Sequence, residues 1–281
     1  MSTSEKQIQW FPGHMTKTLR QMEKDIRNVD VVVEIMDARI PWSSQNPVLK
    51  RIGRSKKRIY ILTKEDLADP AITEAWLTAF RKKEGYDAIA VNTKDAVKTK
   101  KRLYAFLDAY FEKNGKRILG KPRMMFVGVP NVGKSSVINI LLGQNVARVE
   151  DRPGVTRGKQ WFSTEQYELL DMPGVLWPKF DDPRIGFNLA FTGAVRDEVF
   201  DLEEIASLLI EELRWLYPEN LKSRMNIEIE DGLSGYEILQ QYARKRGFLL
   251  RGAEVDTERA AKAVLSELRG GKYGRVTLEK P

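Results

Sequence analysis

The chain reads as an α/β protein: a mostly parallel sheet with helices on both faces, followed by a small all-helical domain. Three observations predict this. Short apolar runs alternate with helically spaced stretches from about residue 31 to Asp171. A glycine-rich turn lies between a strand and a helix within 123–142. From Asp182 onward only helical spacing remains. Strands that alternate with crossover helices pair in parallel, and such sheets bind ligands at the carboxyl ends of their strands.

The elements follow in order. Met15, Leu19, Met22 and Ile26 share one face of a helix over 15–28, after a Pro12-Gly13 turn. Strands are expected at 31–36, 58–62 and 87–92, with helices over 70–83 and 97–113. Arg123-Met-Met-Phe-Val-Gly128 reads as a short buried strand and Ser135 to Leu142 as the helix after it; a β-rich stretch then ends at Asp171. The junction is Trp177-Pro-Lys-Phe-Asp-Asp-Pro183. Helical spacing resumes near 184–195, 201–216, 234–246 and 256–269, as in Leu202, Ile205, Leu208, Leu209 and Leu213. Two domains are therefore expected, 1–180 and 181–281, with no internal repeat or low-complexity tract.

Composition bounds the chemistry. A chain of 281 residues can bury a full α/β core and a second small domain. It has no cysteine, so disulfides and thiolate metal sites are excluded and a reducing cytoplasm is expected. No run is long and apolar enough for a membrane helix, and the N-terminus is polar. The net charge of +8 favours a polyanionic partner. Residues 182–281 carry 15 basic and 18 acidic side chains, so the positive excess lies in 1–181. It clusters at Lys50-Arg51, Lys56-Lys57-Arg58, Lys100-Lys101-Arg102 and Lys116-Arg117 to Arg123. Any single run reads as a solvated face.

The sharpest motif is Gly128-Val-Pro-Asn-Val-Gly133-Lys134-Ser135, a complete G-x-x-x-x-G-K-[ST] phosphate loop. Its glycines let backbone N–H groups of Asn131, Val132, Gly133 and Lys134 approach phosphate. Lys134 reaches the terminal phosphates, the Ser135 hydroxyl suits Mg²⁺, and Ser136 follows on the helix. Tyr167-Glu-Leu-Leu-Asp171-Met-Pro-Gly174 supplies a D-x-x-G. There Asp171 suits Mg²⁺ and the Gly174 N–H suits a γ-phosphate. Between the two, Asp151-Arg-Pro-Gly-Val-Thr156 offers a threonine for the same metal. Upstream, Thr63-Lys64-Glu65-Asp66 follows a strand, where the usual base-reading sequence is N-K-x-D. The Asp66 carboxylate can accept from guanine N1–H and N2–H₂, and adenine offers no such pair. Lys64 can lie along the base; Thr63 offers one hydroxyl in place of Asn. Asn92-Thr93 marks a weaker second base loop. These parts in this order predict a switch that binds GTP or GDP.

Base loops precede the phosphate loop, whereas ordinary GTPases run the other way. The order is that of a circular permutation, with chain ends relocated to just after the second switch. The chain resembles the circularly permuted ribosome-assembly GTPases, specifically the YlqF/RbgA group. The resemblance rests on Trp10-Phe-Pro-Gly-His-Met15, Asp37-Ala-Arg39-Ile-Pro41-Trp-Ser-Ser44-Gln-Asn46-Pro47, the phosphate loop, and Asp171-Met-Pro-Gly-Val-Leu-Trp-Pro-Lys179. It implies a GTPase domain over 1–180 and a helical RNA-binding domain over 181–281. The implied partner is the large ribosomal subunit, with its rRNA and proteins, bound by a protein that is a monomer away from the ribosome. Thr63 for Asn and Met172 for Thr depart from the group's pattern.

Many GTPases place a glutamine beside the D-x-x-G to orient water, but here Val175 and Leu176 follow Gly174. The resemblance assigns that work to His14, the sole histidine; read alone, His14 caps the first turn of its helix. Asn131 is a second catalytic candidate, since related GTPases use an Asn here to hold K⁺; a loop-stabilising side chain is the plainer reading. Asp37, Arg39 and Asn46 have no chemical task from sequence, and packing is their default. Two other readings remain: a nucleotide-gated rRNA-binding module with negligible hydrolysis, and a P-loop kinase or ATPase, against which Asp66 and the motif order weigh.

Overall fold

The computed structural model describes residues 13–114, 120–144 and 159–281; the side chains of residues 13, 14, 83 and 84 lie outside that set. The Trp10-Phe11-Pro12 part of the N-terminal motif, Lys116-Arg117 and the Thr156 loop fall outside the described residues. The described residues divide into two compact units, one of 13–179 with Glu279–Pro281 and one of Phe180–Leu278.

The first unit is built on six strands: β1 Val31–Asp37, β2 Lys57–Thr63, β3 Asp87–Ala90, β4 Arg123–Gly128, β5 Gln160–Ser163 and β6 Glu168–Asp171. Their order across the sheet is β3-β2-β1-β4-β6-β5. All pairs are parallel except β5 with β6. β1 is central and every residue of it is buried, which explains its nearly unbroken apolar run. Its two acids are exceptions with partners: Glu34 pairs with buried Arg58, and Asp37 with Arg39. On one face, Met36, Tyr60, Leu62, Trp76 and Phe80 form a core, with the Tyr60 and Phe80 rings edge-on at 4.8 Å.

Five helices cross between or flank these strands: α1 Gly13–Asp25, α2 Pro47–Ile52, α3 Pro70–Ala79, α4 Ala96–Asn114 and α5 Lys134–Leu142. The expected helix over 70–83 ends as regular α-helix at Ala79. It continues as one wider π turn, Phe80–Glu84, closed by Gly85 at φ 67°. β3 stops two residues before the expected 92, because Val91 and Asn92 already turn into the loop; Val91 N–H still donates to Leu62 O at 2.8 Å. α2 was not expected. Its signals are local: Asn46 caps it, accepting from Val48 N and Leu49 N, and Pro47 opens it.

The last residues return to this unit. The Glu279 carboxylate accepts from Trp42 N at 2.7 Å, from Ser43 N and from Ser43 Oγ, while Glu279 O accepts from Trp76 Nε1 at 3.0 Å.

The second unit is helical: α6 Pro183–Phe191, α7 Leu202–Leu216, α8 Pro218–Met225, α9 Gly235–Lys245 and α10 Thr257–Arg269. α8 is the one the spacing missed, being short and polar and carrying its signal in Pro218 at its first turn. Leu209, Leu213, Ile238, Leu239, Val264 and Leu268 are fully or almost fully buried and make the core. A polar hub sits in it. Glu267 accepts from Tyr242 Oη and Arg246 Nη1, both at 3.0 Å, and from Arg224.

Candidate guanine-nucleotide site

The strand registers bring the motifs to one edge of the sheet. Asp37 stands beside Thr63, Ile35 beside Gly128, and Phe126 beside Asp171. The carboxyl ends of β1, β2, β4 and β6 therefore lie in one row. Glu65 N–H donates to Val91 O at 3.2 Å, which seats the second base loop beside the first.

The phosphate loop spans from β4 to α5. Gly133 adopts φ 88° and no side chain caps the start of α5, so the first N–H groups of the helix are not claimed by a cap. Gly128 is required by a neighbour: a Cβ there would stand 2.6 Å from Ile35 O. Lys134, 7% exposed, forms a close ion pair with Asp171, 3% exposed. Burial pushes the Lys134 ammonium below its usual value, and Asp171 offsets only part of that. Ser135 and Ser136 are half-buried on the first turn of α5. After Asp171 the chain runs along β4: Met172 N–H donates to Phe126 O and Val175 N–H to Gly128 O, each at 3.2 Å. A Cβ on Gly174 would stand 2.9 Å from Pro130 Cα, so the D-x-x-G glycine touches the phosphate loop's own backbone. Asn46 Nδ2 donates to Val175 O at 2.9 Å and ties that segment to the start of α2.

The base loop is bound to the phosphate loop by two contacts. The Thr63 hydroxyl lies against Met36 O at 3.1 Å and closer still to Val132 O. A hydroxyl has one proton, so Thr63 gives it to one of these two carbonyls at a time and keeps its lone pairs to accept from a donor. Lys64 Nζ donates to Asn131 O at 2.9 Å and pairs with Asp37 Oδ2 at 2.9 Å. Lys64 and Asn131 both hold left-handed backbone, φ 57° and 59°, unusual for residues with a Cβ. Asp66 is half-buried and pairs with Lys94 Nζ at 2.8 Å. Asn92 accepts from Lys94 N at 2.9 Å through its side chain, and Thr93 is half-buried beside it.

Lys64, Asp66, Asn92, Thr93, Asn131, Val132, Gly133, Lys134, Ser135, Asp171 and Gly174 thus all belong to this one edge. Thr156 lies outside the described residues, and His14 is on the first turn of α1 with its side chain outside them. Sequence reasoning missed Asp37 and Arg39 as neighbours of the site. The available signal was an acid at the very end of a buried strand, Asp37, with a basic residue, Arg39, two positions on.

The group expected here is a nucleotide with its magnesium, and the donor set fits. A buried cation and carboxylate meet at an uncapped helix start behind a left-handed glycine. Among the described residues, no cluster of three or more His, Cys, Asp or Glu side chains could hold a metal unaided.

Comparison with known proteins agrees. A family described as 50S ribosome-binding GTPase matches residues 123–215, covering the phosphate loop and the D-x-x-G. A ribosome biogenesis GTPase A from Bacillus cereus is 40% identical over 98% of this chain and 94% of its own. Its namesake from Thermotoga maritima is 33% identical over 98% and 95%. A GDP-bound YlqF structure superimposes with a TM-score of 0.69 at 30% identity, over 93% of this chain and 99% of that one. YlqF from T. maritima bound to GNP gives 0.67 over 94% and 98%. With its base loops ahead of its phosphate loop on the same sheet, the chain is a circularly permuted GTPase and belongs to the ribosome biogenesis GTPase A (YlqF/RbgA) family.

Proposed function

We propose that this GTPase is a switch that docks on the immature large ribosomal subunit late in its assembly and leaves after hydrolysis. The observation that carries the nucleotide part is the double tie, through Thr63 and Lys64, of the base loop to the phosphate loop. Lys64 and Asp66 read guanine, with Asn92 and Thr93 alongside. Backbone N–H groups from Asn131 to Lys134, with Ser136, hold phosphate, and Gly174 senses the γ-phosphate. Ser135, Thr156 and Asp171 hold Mg²⁺, which when bound neutralises charge on the phosphates. His14 positions the attacking water, and Asn131 recruits K⁺. Family membership supports the ribosomal part, as does the positive excess in residues 1–181. The helical unit contributes rRNA contacts.

GTP turnover, measured alone and with stoichiometric large ribosomal subunits, tests the whole. Strong stimulation by the subunit is expected, and His14→Ala should abolish it while leaving GTP binding intact. Turnover that subunits leave unchanged, with GTP still bound, would replace this reading with a nucleotide-gated rRNA-binding module. Equal rates in KCl and NaCl would remove K⁺ from the mechanism. Subunit affinity should fall steeply with added salt if phosphates are the contacts.

A further inference from the structure

Asp37 and Arg39 are left without a task by everything above, yet they are among the most deeply buried charges in the first unit, each 1% exposed. Arg39 wraps back on Asp37: its N–H and Nε both reach Oδ1 at 3.0 Å, and Nη2 reaches Oδ2 at 2.7 Å. This fork fixes the carboxylate plane. Oδ2 is also the oxygen that meets Lys64 Nζ at 2.9 Å. The same ammonium donates to Asn131 O. Lys64 is therefore pinned between the end of β1 and the phosphate loop.

The backbone says what the pin is for. Four non-glycine residues among those described adopt positive φ, and Lys64 and Asn131, two of the four, are bonded to each other here. A left-handed residue with a Cβ costs of order 1–3 kcal/mol and persists only where its surroundings hold it. A flexible lysine stem is a poor brace on its own. Clamped by a fixed carboxylate, it becomes a rigid one.

We propose that Asp37, oriented by Arg39, is a positioning residue for guanine-nucleotide binding: it anchors the Lys64 ammonium so that base loop and phosphate loop are preassembled. Asp37 touches no nucleotide and acts through Lys64. The inference rests on the reading of 63–66 as the base loop. Burial by itself would raise the Asp37 carboxyl, but Arg39 and Lys64 outweigh it and keep the anchor charged well below the ordinary carboxylate range.

The test is a double-mutant cycle on affinity for a fluorescent GDP, using the full chain with Asp37→Asn, Lys64→Met and both together. Lys64→Met is expected to weaken GDP binding about tenfold or more. Asp37→Asn alone should weaken it about fivefold or more, yet change it less than about twofold once Lys64 is already Met. A role confined to stability would act equally in both backgrounds, so equal effects overturn the proposal, as does an Asp37→Asn protein with unaltered affinity. If Lys64→Met itself leaves affinity unchanged, the base-loop reading fails and takes the proposal with it. Should Asp37→Asn not fold, Arg39→Lys keeps the charge and loses the fork. It is expected to weaken GDP binding several-fold, again only while Lys64 is present; an effect that survives Lys64→Met counts against the anchor.

Discussion

At the scale of single residues, the site is held by contacts too close to tolerate added atoms. Gly174 shows this best: its missing Cβ would sit 2.9 Å from Pro130 Cα and 3.0 Å from Pro130 N, both backbone, so neither neighbour can rotate away. Gly174→Ala should therefore cost about 1–3 kcal/mol in denaturant unfolding of the first unit. GTP hydrolysis should fall as the D-x-x-G segment lifts from the phosphate loop. An unchanged midpoint would mean that the close approach does not exist. Motif chemistry made Gly174, Lys134 and Asp171 legible, because phosphate and metal dictate residue type at fixed spacing. It could not show that Thr63 faces the carbonyl of Val132, nor that Asp37 reaches Lys64. Those depend on which strands are neighbours, and that is set by the whole sheet rather than by local sequence. Lys94 was likewise visible only as part of a weak loop match; its pairing with Asp66 needs β2 and β3 side by side.

Secondary elements were legible where burial writes a period. β1, β4 and the strong faces of α7, α9 and α10 follow the apolar pattern, since a buried strand or helix face cannot be polar without a partner. α2 and α8 are only six and eight residues long, too short to show a period, so only their starts mark them. The start of α2 has a second duty. Asn46 is fully buried, caps the helix with its carbonyl oxygen and gives its amide N–H to Val175 O. Losing a cap costs about 1 kcal/mol, and stranding a buried carbonyl about 1–3 kcal/mol more. Asn46→Ala should thus destabilise the first unit by roughly 2–4 kcal/mol. Asp69→Ala, at the start of α3, removes a cap that accepts from Ala71 N and Ile72 N at a more exposed position. It should cost about 1 kcal/mol. Equal midpoints for the two variants in chemical denaturation would show that the bond to Val175 contributes nothing.

For the molecule as a whole, the patterning changes from alternating to purely helical near Asp182, and the described residues divide into compact units at Phe180. The return of Glu279 to Trp42 and Ser43 was not foretold, because a lone acid near the end of a sequence carries no local pattern. Each unit has a buried carboxylate that depends on ionisation, and this gives the molecule an acid limit. In the helical unit burial alone would raise Glu267, but Arg224, Tyr242 and Arg246 outweigh it and lower the carboxyl from its ordinary 4.5. In the first unit Asp37 is lowered from its ordinary 3.8 by Arg39 and Lys64. A carboxyl whose folded value lies below its unfolded value binds fewer protons when folded. Its stabilisation is complete above the unfolded value and drains away as pH falls through the folded one. Both units should therefore weaken between about pH 5 and about pH 2. Glu267→Gln removes one of the two terms: the helical unit becomes less stable at neutral pH, where its arginines lose their anion. It then loses less on acidification than the wild type, while the first unit's acid loss is unaltered. The buried faces of α7, α9 and α10 give the helical unit its own reporter, since their backbone amides exchange with solvent only when that unit opens. Following that hydrogen exchange through denaturant titrations at about pH 6 and about pH 3 checks the sign. If the variant and the wild type lose the same stability between the two, Glu267 is not the titrating group and the hub holds its shape by packing alone.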